Sequence, residues 1–176
     1  RNLPFAENVW IPEMKRLALD AADIRILGAL QKNGQLSKAR LAEICSLSAT
    51  PCLARLSRLK AAGYIRGYHA DIALGQLADF AKVIVTVSLS RHRKADFDRF
   101  EAFITSRDEI IDCIATGGGV DYIMEVISPS LSAFQSLMEE FLAEDLGIDR
   151  YMTYFATRQV KSGMPNIAKL AAGNSK

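Results

Sequence analysis

The chain has 176 residues, of which 49% are hydrophobic and 24% are charged. This mix is typical of a globular protein with one ordinary domain or two small ones, and it argues against a disordered or collagen-like chain. No apolar run approaches the ~18–20 residues that span a bilayer, and no secretory leader pattern is present, so we expect a cytoplasmic protein without a membrane partner. Cys45, Cys52 and Cys113 form no CxxC pair. They predict buried thiols rather than a disulfide framework or a metal site.

The charge of the chain is unevenly distributed. The formal net charge is only +2, but the window from Arg25 to Arg66 contains eight basic residues and one acid, Glu43. A local basic block inside a nearly neutral protein indicates a polyanion partner for that block alone.

Three short helices are predicted after an N-terminal arm, residues 1–18. Asp20, Ser37 and Ser48 are each placed to cap one helix, and Pro51 is tolerated in the first turn of the third. Tyr64–Tyr68 then indicates a strand or a small wing. The residues predicted to face the core are Ile24, Leu27 and Leu30 in the first helix, Leu41, Ile44 and Cys45 in the second, and Cys52, Leu56 and Leu59 in the third.

The second and third helices are joined by a short turn, which predicts a helix-turn-helix whose last helix enters the major groove of DNA. Hydroxyls and the helix start can bond phosphate, arginines can bond phosphate or guanine, and a leucine can contact a thymine methyl. We expect alanine at Arg55 or Arg58 to weaken DNA binding without disturbing the fold. The predicted DNA-binding residues are Lys38, Ser48, Thr50, Pro51, Leu53, Arg55, Ser57 and Arg58.

The second half of the chain alternates strand and helix patterns. Strands are predicted at Lys82–Leu89, Ile110–Ala115, Tyr122–Ile127 and Tyr151–Val160, with helices at Ala95–Thr105 and Ser132–Glu144. The helix stripe in the last of these contains Phe134, Leu137, Met138, Phe141 and Leu142. The order β-α-β-β-α-β is that of a ferredoxin-like sandwich, so the predicted fold class is α+β.

The predicted organisation is a winged helix-turn-helix domain at residues 19–70, a linker at 71–79, and a ferredoxin-like oligomerisation domain at 80–161. Residues 162–176 are expected to be a polar tail or a loosely docked helix. Alternation in the first and third strands leaves Ile84, Ile123 and Ile127 on the sheet face that two helices cannot cover. A second subunit is expected to cover that face, giving a twofold dimer.

The N-terminal half contains three specific motifs: L-D-x-x-D-x-x-I-L beginning at Leu19, L-S-x-T-P-C-L-x-R at Leu47–Arg55, and R-L-K-A-A-G-Y-I-x-G-Y ending at Tyr68. These motifs resemble those of the Lrp/AsnC, or feast/famine, transcription regulators. The resemblance continues through Val120–Tyr122 to Thr153–Lys161. Two departures are Ala49, where the family often has proline, and a glycine turn that is one residue longer than the usual T-G-x-x-D-Y.

The resemblance implies a DNA-binding domain joined to a ligand-sensing domain. It also implies that subunits dimerise through their sheets and assemble further to tetramers or octamers. The effectors it implies are amino acids or related metabolites, bound between sensing domains.

The glycine turn before the third predicted strand is chemically suited to a zwitterion. Glycines can present backbone N–H groups to an anion, and a nearby carboxylate such as Asp121 can hold a cation. The alternative is a tight β-β hairpin capped by Asp121. Because a strand follows the turn, the glycines are no dinucleotide-binding fingerprint. The predicted effector residues are Gly118, Gly119, Val120, Asp121, Tyr122, Thr153 and Tyr154, the last two of which match the family's final strand.

Two other functions compete with this interpretation. An enzyme would need a catalytic group, but the two histidines, His69 and His92, stand in no nucleophile-base, HExxH or P-loop pattern. Tetrapyrrole decarboxylases that share the architecture would have no use for a basic recognition helix. A DNA-organising protein without an effector would bind broadly through phosphates, with steep salt dependence. We therefore expect no catalytic residue, metal or cofactor, and double-stranded DNA as partner.

Overall fold

The computed structural model describes residues 17–173, which form two compact units. One unit contains residues 17–71 together with 161–173, and the other contains residues 72–160. Most of the predicted arm, residues 1–16, and the last three residues of the predicted tail lie outside the described range.

The first unit begins with three helices: α1 (Ala21–Lys32), α2 (Lys38–Ile44) and α3 (Ala49–Ala61). The predicted caps occupy their expected positions. The Asp20 carboxylate accepts hydrogen bonds from the backbone N–H groups of Ala22 and Asp23, and the Ser37 hydroxyl accepts one from Arg40. Ser48 lies at the cap of α3, but its side chain forms no capping bond. The start of α3 is therefore fixed by backbone and packing rather than by its serine.

A small apolar core joins the three helices. Two of the predicted core positions differ in the structure: Ile26 rather than Ile24 is fully buried in α1, and Ile44 of α2 is exposed. Ile44 lies at the edge of the buried stripe that Leu41, Ala42 and Cys45 form, so the prediction that Ile44 faces the core was wrong. The buried residues of this core are Ile26, Leu27, Leu41, Ala42, Cys45, Cys52 and Leu59.

The chain leaves α3 through Gly63, whose φ of 75° is a conformation that suits glycine. The strand predicted at Tyr64–Tyr68 does not form; the segment is irregular. Tyr64 and Ile65 instead pack against the helical core, and the Tyr64 hydroxyl accepts a hydrogen bond from the backbone N–H of Leu17 at 3.1 Å. Apolar burial against the helices thus replaces strand pairing.

Part of the segment predicted as a tail completes this unit. Helix α6 (Ile167–Gly173) contacts α1, and Ile167 packs against the helical core. The helix-turn-helix unit is therefore built from both ends of the described chain.

The second unit is a four-stranded antiparallel sheet with two helices on one face. Its strands are β1 (Ala81–Leu89), β2 (Ile110–Ala115), β3 (Tyr122–Ser128) and β4 (Ile148–Phe155), in the order β2-β3-β1-β4. The helices are α4 (Lys94–Thr105) and α5 (Leu131–Ala143). This is the predicted βαββαβ arrangement. The last strand begins and ends earlier than the predicted Tyr151–Val160, because pairing with β1 stops at Phe155.

Strand alternation places the core of this unit as predicted. Val83, Val85 and Val87 of β1 are fully buried beneath the helices, and Tyr122 and Met124 of β3 lie beside them. Most of the α5 stripe packs onto the same core. Leu142 was predicted to belong to that stripe but is exposed, because it lies on the outer edge of the helix.

Candidate nucleic-acid interface and effector site

The outward face of α3 is lined by small side chains. Thr50, Ala54, Ser57 and Ala61 are all exposed, and they lie opposite the buried residues Cys52 and Leu59. The spacing i, i+4, i+7, i+11 puts the four on one stripe. Small residues allow the backbone of a recognition helix to approach the bases of a major groove closely.

Both predicted DNA-binding arginines, Arg55 and Arg58, form ion pairs within the protein. Arg55 Nη1 lies 2.9 Å from Asp23 Oδ1 and 2.7 Å from Asp20 Oδ2, and Arg58 Nη2 lies 2.5 Å from Asp23 Oδ2. Asp23 is fully buried and also accepts the backbone N–H of Asp20 at 3.2 Å. We call these four side chains the α1–α3 ion network. It ties the first helix to the recognition helix.

The ion network changes the electrostatics that the basic window suggested. Asp20 and Asp23 precede that window in sequence but neutralise Arg55 and Arg58 in space. The backbone N–H of Asp23 and the neighbouring Arg55 both lower the pKa of Asp20. Removal of either arginine leaves the buried Asp23 carboxylate with one cationic partner fewer, so we now expect such a change to affect the stability of the fold as well as DNA binding.

The other predicted DNA-binding residues lie around the outward face. Lys38 at the start of α2, Pro51 and Ser48 are exposed, and Leu53 is half-buried. Ser48, Thr50, Pro51 and Ser57 are thus all exposed, and Thr50 and Ser57 share the outward stripe. The structure adds Ala54 and Ala61, which sequence reasoning missed although their spacing from Thr50 carried the signal.

The turn between β2 and β3 is closed by Asp121. Its carboxylate Oδ2 accepts the backbone N–H of Leu89 at 2.7 Å, its own N–H donates to the carbonyl of Val87, and its carbonyl accepts from Thr116. The Thr116 hydroxyl also donates to the carbonyl of Val120. These bonds fit the capping alternative, since they fasten the hairpin to the end of β1.

A second group shares the Asp121 carboxylate. Nε2 of His92 lies 3.0 Å from Oδ1 and 3.2 Å from Oδ2. His92 belongs to the loop between β1 and α4, and its ring lies 5.9 Å from that of Phe97. Sequence reasoning gave His92 no role, because the two partners are 29 residues apart.

The glycines of the turn are open to solvent. Both Gly118 and Gly119 are exposed, and a Cβ atom at either position would meet no atom within 4 Å. Neither glycine has a positive φ; among the described glycines, positive φ occurs at Gly63 and Gly147. These glycines therefore leave the backbone of the turn open to close approach by another molecule.

The remaining predicted effector residues do not meet in one place. Tyr122 is buried, stacks on Phe100 with ring centroids 4.4 Å apart, and donates its hydroxyl hydrogen bond to Glu101. Burial and that hydrogen bond raise the pKa of Tyr122. Thr153 and Tyr154 are neighbours on β4, so they point to opposite faces of the sheet.

Strand order separates these β4 residues from the glycine turn. Strand β1 lies between β3 and β4. Thr153 is paired with Val85 and lines an open groove of about 440 Å³ between α5 and β4. Tyr154 is paired with Ile84 on the face away from the helices. Within one chain, Asp121 and Thr153 therefore belong to different surfaces.

The open face of the sheet carries apolar side chains from all four strands. By strand register, its apolar residues are Ile84, Ile114, Ile123, Ile127, Met152 and Tyr154. The same face also carries Thr86, Ser88, Asp112, Arg150 and an ion pair in which Lys82 Nζ lies 2.6 Å from Glu125 Oε1. Met152 and Tyr154 are about half exposed. The two helices of this unit, α4 and α5, pack on the opposite face of the sheet.

The thiols are poor nucleophiles. Cys45 and Cys52 are buried as predicted, whereas Cys113 is only partly buried. Burial raises the pKa of all three thiols, that of Cys113 to about 11. Across residues 17–173, no cluster of histidine, cysteine and acidic side chains is arranged to hold a metal ion. The same range contains no helix long and apolar enough to cross a membrane.

Comparison with known proteins assigns each unit to a class. A winged helix-turn-helix DNA-binding model matches residues 19–66, and the Lrp/AsnC ligand binding domain matches residues 82–166. The two matches define a transcriptional regulator with a DNA-binding domain and a ligand-binding domain.

Individual relatives point to the same family. The chain is 38% identical to the transcriptional regulatory protein DoeX of Halomonas elongata over 86% of this chain and 96% of that protein. It is 35% identical to the leucine-responsive regulatory protein of Salmonella typhimurium, over 81% of this chain and 87% of the relative. The chain therefore belongs to the Lrp/AsnC family of transcriptional regulators.

A solved structure supports the same assignment. The structure of a Neisseria meningitidis transcriptional regulator in complex with L-Met matches with a TM-score of 0.76 and 30% identity. The match covers 82% of this chain and 94% of the regulator.

Proposed function

We propose that this protein is a homo-oligomeric regulator that reads a double-stranded DNA operator with α3 and responds to an amino acid or a related small molecule. Residues 19–70 bind DNA, residues 71–79 link the two domains, and residues 80–161 sense the ligand and form the oligomer. The observation that carries the proposal is the stripe of small, exposed side chains on α3; Lys38 is exposed at the start of α2. It acts by binding rather than catalysis, in the cytoplasm where its DNA lies.

DNA contacts are divided between two groups of residues. Ser48, Thr50 and Ser57 supply hydroxyls, and Pro51 and Leu53 supply apolar contacts at the groove. Lys38 lies over the backbone. Arg55 and Arg58 orient α3 through the ion network, and Arg58, the more exposed of the two, reaches phosphate from the edge of the face.

A second copy of the chain covers the open sheet face. Isoleucines, Met152 and Tyr154 make this face apolar, and a twofold dimer buries it against itself. Such a dimer presents two copies of α3 to half-sites about one helical turn, or a multiple of it, apart. Further contacts between dimers would give a tetramer or an octamer.

Met152→Lys is expected to weaken this dimer by about 100-fold or more, since burying an unpaired ammonium costs several kcal/mol. Sedimentation of the purified protein over a range of concentrations measures the association. Leu142→Lys is the matched control, because Leu142 is equally exposed but lies on α5 at the other side of the sheet. If both variants dimerise like the wild type, the sheet face is not the interface.

The ligand is proposed to bind at the turn between β2 and β3. The exposed backbone of Gly118 and Gly119 can approach the carboxylate of a ligand. The Asp121 carboxylate can bind a cationic group of the same ligand. An α-amino acid carries both groups. Thr153 or Tyr154 can add to this site only from another subunit, because β1 separates them from Asp121 within one chain.

The effector proposal is tested by DNA binding with and without ligand. Operators selected from genomic fragments are bound by the wild type, and one of the twenty amino acids is expected to change the apparent Kd by about 5–150-fold. Asp121→Asn keeps an acceptor for Leu89 but loses the charge, so it is expected to bind DNA normally and lose the response.

Two results of this experiment would contradict the proposal. A normal response in Asp121→Asn would show that the ligand does not bind at Asp121. Broad binding without operator preference, with steep salt dependence and no response to any amino acid, would instead indicate a DNA-organising protein.

A further inference from the structure

The Asp121 carboxylate already holds a partner in the place where a ligand cation would bind. Its Oδ2 atom accepts the Leu89 N–H, and Oδ1 has Nε2 of His92 at 3.0 Å. The first bond joins β3 to the end of β1 and belongs to the folded sheet. The second joins β3 to a surface loop.

The bond from His92 is the one that a ligand can exchange. The His92 side chain is 60% exposed, whereas that of Asp121 is 22% exposed. The loop bearing His92 runs from Ser90 to Arg93 and has no helix or strand pairing of its own. An arriving molecule can therefore replace His92 without breaking the sheet, but it cannot replace Leu89 in that way.

We propose that His92 is a residue of the effector site, where it occupies the position on Asp121 that the ammonium group of an amino-acid ligand takes on binding. An imidazole N–H and an ammonium are both hydrogen-bond donors to a carboxylate, so one substitutes for the other. The inference rests on the proposed function, because it assumes that Asp121 receives the ligand cation.

The exchange sets the chemical class of the ligand. A molecule without a cation, such as an α-hydroxy acid, has nothing to offer Asp121 in return for His92. The ligand must be an amine, with its carboxylate at the exposed backbone of Gly118 and Gly119. The released imidazole belongs to the loop that leads into α4 at Arg93.

The test measures affinities of His92 variants by calorimetry on the full chain. L-leucine and L-methionine are the probes, with the α-hydroxy acids of the same carbon skeletons as analogues without the ammonium. His92→Ala removes the competitor, and we expect it to bind the amino acids about 2–5-fold more tightly, as for the loss of one exposed side-chain pair. His92→Lys supplies a permanent cation and is expected to bind them more weakly than the wild type.

Arg91→Ala is the matched control. It removes one cation from the same loop, and the structure shows no bond from Arg91 to Asp121. We expect it to bind the amino acids like the wild type, which separates contact from overall loop charge. His92→Leu, which also lacks a hydrogen-bond donor, replaces the alanine variant if that variant does not fold.

The outcomes separate the two proposals. If the wild type binds an amino acid and His92→Ala binds it equally or less tightly, the inference is overturned and the proposed function stands. An equal gain in affinity for the hydroxy acids would overturn it too, because the gain would not depend on the ammonium. If neither amino acid binds any variant, the amino-acid response itself is refuted for these probes and the inference falls with it.

Discussion

Ala54→Glu is expected to lower the affinity for DNA by at least about 100-fold, because it places a carboxylate in the centre of the face that meets the phosphates and base edges. Ala54 is exposed in the middle of α3, between Thr50 and Ser57. The substitution adds bulk and negative charge where the small side chains otherwise allow close approach. Glutamate is a good helix former, so α3 itself should remain folded.

Fluorescence anisotropy on sonicated genomic DNA at low salt measures the loss without knowledge of the operator. Ser136→Glu is the matched control, because Ser136 is an exposed position on α5 in the other unit and receives the same charge. Both variants should have the circular dichroism spectrum of the wild type. If Ala54→Glu binds DNA as tightly as Ser136→Glu, α3 does not enter the groove by this face.

Asp23→Asn is expected to lower the free energy of unfolding of the helix-turn-helix unit by about 2–4 kcal/mol. The change keeps the shape of the side chain but removes the charge that Arg55 and Arg58 share. Both arginines then lose their anchor on α1, and a neutral amide is left in a fully buried position. The DNA affinity should fall as well, since α3 loses its orientation relative to α1.

Chemical denaturation followed by circular dichroism measures the change in stability. Asp98→Asn is the control, because it removes a carboxylate that pairs with Lys94 at 2.7 Å on the exposed side of α4. An exposed pair four residues apart contributes little, so this variant should unfold like the wild type. Equal stability of the two variants would show that the ion network does not stabilise the fold.

The parts of the fold that depend on local pattern were predictable from the sequence. Asp20 and Ser37 cap their helices because capping involves residues two or three positions apart. Val83, Val85 and Val87 alternate into the core because the side chains of a strand alternate by geometry. The order of strands and helices then fixed the fold class.

The parts of the candidate site that depend on distant partners were not predictable. Arg55 and Arg58 were expected to face DNA because a helical projection does not show that α1 brings a buried carboxylate beside them. The role of Asp121 was left between two alternatives for the same reason, since Leu89 and His92 approach it only in the folded sheet. Neither partner could be inferred without the packing of the elements that carry them.

The attachment of α6 to α1 has a consequence for how the protein is made. Helices α1, α2 and α3 precede the sensing domain in the chain, but α6, which follows it, contacts α1. A ribosome must therefore finish the sensing domain, and release residues 167–173, before the DNA-binding unit has all its parts. A truncated product that lacks the sensing domain therefore also lacks α6, and its helix-turn-helix unit is incomplete.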